Sequence, residues 1–105
     1  MTARRPIRAL HVVDQLRVGG IETWLVQVLE RTDRRRVAID VLVLTEQRGA
    51  YEQRAEAAGA RILRCPRPRS WFRFARRLQR LLQEHGPYDV MHSHVYHFSG
   101  LLLQQ

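Results

Sequence analysis

Apolar residues recur along this chain with two alternating periods. Ile7–Val13 (IRALHVV) is short, apolar and β-branched, the pattern of a buried strand. DQLRVGG follows as a loop. From Ile21 onward, Ile21, Trp24, Leu25, Val28 and Leu29 recur at helical spacing, and this helix stops in the charged cluster RTDRRR at 31–36. Residues 37–44 (VAIDVLVL) are almost continuously apolar, as in a strand covered on both faces, which points to a parallel sheet. A short helix is predicted over 49–58, with Gly59 as its terminator. A third strand follows at 61–65 (RILRC), then a turn, PRPRS, whose Ser70 can cap the next helix. There, Trp71, Phe74, Ala75, Leu78, Leu81 and Leu82 form one apolar stripe, and Arg73, Arg76, Arg77 and Arg80 lie opposite. Gly86 and Pro87 end that helix. Residues 88–92 (YDVMH) read as a fourth strand, SHVYHF as a loop, and 99–105 as the start of another apolar helix.

The order is β-α-β-α-β-α-β-(α). Helix-length connections between strands imply parallel pairing and right-handed crossovers: an α/β fold with a Rossmann-like three-layer α/β/α arrangement, here incomplete. Such sheets bind ligands at the carboxyl ends of their strands. Two loops leave those ends with unusual content, DQLRVGG and HSHVYH.

The length, 105 residues, fits one domain. With 45% hydrophobic and 27% charged residues, the balance is that of a globular chain and not of a disordered one. No apolar run approaches the ~18 residues that span a bilayer. The apolar stretch 9–13 is broken by His11 and stopped by Asp14, too short and polar for a secretory signal, so a cytoplasmic location is expected. The single Cys65 excludes an internal disulfide and a cysteine-built zinc site, and reads as a small buried apolar side chain at a strand end.

Gly19 and Gly20 stand between the first strand and its helix. Glycine permits close backbone approach, and a helix N-terminus offers unpaired N–H groups, so a phosphate or sugar could sit there. The alternative is a plain turn. Neither G-x-G-x-x-G after the strand nor a lysine-containing phosphate loop is present, since the chain has no lysine. His92, His94 and His97 form H-x-H-x-x-H. A metal reading lacks further ligands, so no metal is expected. A buried His92 with a pocket-facing His94, or ordinary loop histidines, are the other readings.

All 18 basic residues are arginine, against 10 acidic ones, giving a net charge of +8. Residues 57–83 hold eight arginines and no acid, so the whole excess lies in that stretch. Three readings stand: solvated arginines over a packed helix, an anionic membrane surface met by Arg69, Arg73, Arg76, Arg77 and Arg80, or a nucleic-acid patch. Nucleic acid is not expected, because interleaved exposed aromatics for base stacking are lacking.

HVVDQLRVGGIETWLVQVL resembles the opening of family 4 retaining glycosyltransferases: a first strand, a loop ending in Gly-Gly, and a helix beginning x-Glu-x. YDVMHSHVYHFSG resembles that family's later D-V-V-H-x-H strand and loop, and TEQRGAYEQRAEAAGARILRCP between them fits its second helix and third strand. The resemblance runs from about Ile7 to Gln105. It implies two Rossmann-like domains facing across a cleft, the N-terminal one holding the acceptor and the C-terminal one the nucleotide-sugar. By position, Gly19 and Gly20 would approach the donor diphosphate and sugar. His94 would be the active-site histidine near the transferred sugar, with His92 supporting it and Tyr96 and His97 as pocket wall. The implied reaction moves a hexosyl group to a hydroxyl acceptor, a glycan or lipid-linked precursor of cell-envelope polysaccharide, with the nucleotide-sugar as substrate and no cofactor or metal. The donor-side domain and its Glu-x7-Glu motif lie outside this sequence. Residues 1–105 therefore resemble part of an N-terminal domain, expected to be inactive alone. The alternative is a basic module docking on an anionic membrane through 57–83, peripheral on the inner face.

Overall fold

The structure is a computed structural model describing residues 5–14, 20–66 and 70–94. Four strands form one parallel sheet: β1 (Ile7–Val13), β2 (Val37–Val43), β3 (Arg61–Arg64) and β4 (Val90–Ser93), in the order β3-β2-β1-β4. Helix α1 (Gly20–Arg31) joins β1 to β2, α2 (Glu52–Ala57) joins β2 to β3, and α3 (Trp71–His85) joins β3 to β4.

Alternation along the strands sorts their side chains into two cores. On one face Ala9, Val13, Ile39, Val41 and Val43 pack with Leu25 and Leu29 of α1 and Ala55 of α2. On the other, Leu10, Val12, Leu42 and Leu63 pack with Phe74 and Leu78 of α3. The expected α/β/α layering is thus observed. Cys65 is fully buried, as expected, and burial pushes its thiol pKa up.

Local punctuation follows the sequence. The Ser70 hydroxyl accepts from the Arg73 N–H and caps α3. Gly59 adopts φ +100°, a left-handed conformation that favours glycine, where α2 ends. Three expectations need correcting. Helix α2 is shorter than 49–58, because the Gly49 N–H donates to the buried Glu52 carboxylate and folds 49–51 into a turn. Strand β4 starts at Val90, because Asp89 uses its side chain to accept the Arg8 N–H and Tyr88 reaches Asp40 instead. Trp71 belongs outside the apolar stripe: at the first position of α3 it is 53% exposed. Gly19, Arg69, Tyr96 and His97 lie outside the described residues, as do the fourth helix expected at 99–105 and much of both loops.

Two charged networks brace the sheet. Asp40 accepts from Arg61 at 2.8 Å and from the Tyr88 hydroxyl at 2.6 Å, with Arg8 at 3.6 Å. Burial, and then the Asp40 bond, hold the Tyr88 phenol well above its ordinary pKa. At the other end of the strands Arg64 pairs with the fully buried Glu52 and donates to the carbonyls of Thr45 and Gln47.

Candidate functional site

Strand order decides where a site can form. β1 and β4 are neighbours, yet the chain leaves β1 through α1 on one face and reaches β4 through α3 on the other. The order therefore reverses between them, and open α/β sheets hold ligands at the carboxyl ends beside such a reversal.

Three histidines occupy that place. His11 on β1 is in direct register with His92 on β4, and His94 follows β4, its N–H donating to the Val12 carbonyl at 2.8 Å. His92 and His94 are two residues apart and share the face of His11. His11 Nδ1 lies 3.1 Å from His94 Nε2, so one ring donates and the other accepts. The His94 ring stacks on His92, with centroids 4.2 Å apart, and on His11, at 5.3 Å. Trp24 of α1 meets His11 and His94 edge-on, at 6.5 and 6.0 Å.

The surroundings favour neutral rings. Burial, then the neighbouring His94 and His92, depress the His11 pKa to about 4. Burial and then His92 also lower that of His94, while Glu22 in the first turn of α1 acts in the opposite direction. A proton on His11 or His94 is disfavoured first by lost solvation and then by any neighbouring ring that is also protonated.

His94, which the sequence singles out, is therefore at the centre of the cluster. His92 is there too, but exposed and not buried: it lies on the edge strand, past the reach of α1. Gly20 is the first residue of α1, and a Cβ placed on it would meet no atom within 4 Å, so its backbone faces open space. His11, Trp24 and Glu22 were not legible as site residues. His11 interrupts an apolar strand, but only the β1–β4 register reveals which residue it stands beside.

Two hollows among the described residues lie away from the histidines. One of about 470 Å³ sits on the α3 side, lined by Gln79, Leu82, Gly86 and Tyr88 among others. Arg73, Arg76, Arg77 and Arg80 line a shallow exposed depression on the outer face of α3. No helix among the described residues is long and apolar enough to cross a membrane.

Residues 19–104 match the family model described as the glycosyl transferase 4-like domain. The chain is also 26% identical over 97 residues to EpsF of Bacillus subtilis (strain 168), provisionally assigned as a glycosyltransferase. That alignment takes in 90% of this chain and 25% of EpsF, so the chain spans about a quarter of that relative's length. No solved structure matches significantly.

Proposed function

The chain belongs to the glycosyl transferase 4-like domain family, and from that premise we propose that it is the acceptor-side part of an enzyme moving a hexosyl group, with retention, from a nucleotide-sugar to a hydroxyl acceptor. The observation that carries this reading is the meeting of the two loops' residues at one end of the sheet: Gly20 opening α1, and His94 leaving β4 one strand away.

The chemistry asks for two things. When the bond from the sugar carbon to the donor phosphate breaks, positive charge grows on the sugar ring, as in glycoside hydrolysis, and negative charge on the departing diphosphate. Helix α1 begins at Gly20, and a helix start, whose first N–H groups have no intrahelical acceptor and which carries a partial positive charge, is suited to the diphosphate. Gly19 and Gly20 lack side chains, which lets the phosphate approach the backbone. His94, kept neutral by burial and by His92, offers the sugar a hydrogen bond without placing a cation beside the developing positive charge. His92 supports it by stacking. The nucleotide-sugar enters as substrate, and the reaction as proposed uses no cofactor.

The acceptor is a glycan or lipid-linked hydroxyl of cell-envelope polysaccharide synthesis, and the protein works in the cytoplasm at the inner membrane face. What supports peripheral docking is α3: Phe72 is 71% exposed beside Trp71, and no carboxylate among the described residues forms an ion pair with Arg73, Arg76, Arg77 or Arg80. Co-sedimentation with anionic vesicles, and none with neutral ones, is the expected outcome. Equal binding to both would remove the arginines from that role.

The transferase reading is tested by supplying nucleotide-sugars to a polypeptide joining this chain to the rest of the enzyme, the remaining acceptor-side part and the donor-side domain. Release of nucleoside diphosphate coupled to a glycosylated hydroxyl is expected there, and none from the 105 residues alone. A joined polypeptide that folds but transfers no sugar to any hydroxyl acceptor would contradict it.

A further inference from the structure

The fold assembles an imidazole set that no single stretch of sequence contains. His11 and His92 are directly paired across two hydrogen-bonded strands, and His94 is two residues further along the same face. One nitrogen from each ring lies within 4.8 Å of the other two. The nearest pair, His11 Nδ1 and His94 Nε2, is 3.1 Å apart. Two imidazole nitrogens bound to one tetrahedral zinc, at Zn–N distances of about 2.0–2.1 Å, stand about 3.4 Å apart. That pair is thus already at a chelating separation. His92 lies exposed on β4, at the end of the strand order, and its ligand nitrogen is already within 4.8 Å of the other two.

We propose that His11, His92 and His94 bind one divalent transition-metal ion of the zinc class, with three imidazole ligands and an open fourth position. The donor type selects the ion: imidazoles suit zinc, copper and nickel, whereas magnesium and calcium take oxygen. Three protein ligands and one open position is the arrangement of zinc sites that keep an exchangeable partner. The strand ladder holds the backbone of two ligands before the ion arrives, so the ordering cost of binding is low.

Binding replaces the His11–His94 hydrogen bond with two metal–nitrogen bonds. The ring that donates in that bond moves its proton to its other nitrogen, so neutral imidazoles bind without releasing a proton. The sequence expectation of no metal rested on H-x-H-x-x-H having too few partners. His11, more than eighty residues earlier, supplies the missing one. Binding stands apart from the transferase reading. One consequence rests on it: an occupied site withdraws His94 from the sugar, so the ion acts as an inhibitor.

The test titrates zinc ion alone into the metal-stripped 105-residue chain, followed by calorimetry and by NMR of the imidazole nitrogens. One-to-one saturation is expected, with the ring signals of His11, His92 and His94 moving and that of His85 still. His11→Ala and His94→Ala should each weaken binding at least about tenfold, the loss typical even of groups that only support metal ligands, and His85→Ala should not. If a variant loses its circular dichroism, the ring assignments on the native chain decide alone. Absence of saturable binding, shifts confined to His85 and His97, or undiminished binding by folded His11→Ala and His94→Ala would overturn the proposal.

Discussion

Single residues show most clearly which sequence features are structural and which are open to function. Gly59 and Gly20 look alike in the sequence but not in the fold. Gly59 holds φ +100°, so Gly59→Ala should cost about 1–2 kcal/mol, read as a lower urea midpoint. The nearby Arg34 guanidinium, which a Cβ would overlap, is the end of a flexible side chain and adds little. Gly20 has neither a left-handed backbone nor a neighbour within 4 Å. Gly20→Ala should leave the midpoint unchanged or raise it slightly, since alanine is the better helix former. A fall as large as that of Gly59→Ala would show that Gly20 is a structural glycine. Tyr88 gives a pH dependence with a definite sign. Its folded pKa is raised above the ordinary value of about 10, first by burial and then by Asp40, so the folded chain keeps a proton that the unfolded chain releases. Its contribution is complete below about pH 10 and is lost as the pH rises above it. Urea midpoints from pH 8 to 11 should fall less steeply for Tyr88→Phe than for the native chain. Cys65 acts in the same direction in both, so parallel curves would contradict the account.

At the scale of elements, patterning carried far. The bounds of β1 follow from seven residues of buried-strand character, and those of α3 from a Ser70 cap and a Gly86-Pro87 stop. What escaped the sequence was decided by partners distant along the chain. The start of β4 shifts because Tyr88 and Asp89 bond to Asp40 and Arg8, over forty and eighty residues away. His11 joins the site through a strand register that no local pattern encodes. The turn leading into α2 depends on Glu52, whose full burial is surprising for a carboxylate until Arg64 is placed beside it. Removing one member of such a buried pair leaves the other charge uncompensated, at a cost of about 3–5 kcal/mol. Arg64→Met should therefore lower the unfolding free energy by roughly that amount. Arg48, 60% exposed and 3.5 Å from the same carboxylate, should cost far less when changed to Met, because solvent screens an exposed pair. Equal losses in chemical denaturation would show that Arg64 is not the partner that matters.

At the scale of the molecule, two of the described helices cover one face of the sheet and one covers the other, and this asymmetry places the reversal of strand order between β1 and β4. The histidine cluster, the opening of α1 and the edge strand all belong to that one place. The fold class was legible in the alternation of strands and helices, and two candidate site residues, His94 and Gly20, drew notice because both loops carry unusual residues at strand ends. The supporting ring of His11 and the Trp24 wall were not, because they sit inside ordinary apolar patterns. The chain spans about a quarter of its relative EpsF, and in the proposed reading sugar transfer requires this chain joined to the rest of the enzyme. The most direct measurement is the rate of sugar transfer by that joined polypeptide, native against His94→Ala, with His85→Ala as the distant control. The account predicts a loss of about a hundredfold or more in kcat for His94→Ala, in the range of a positioned catalytic side chain, and none for His85→Ala. A folded His94→Ala variant that turns over at the native rate would contradict it.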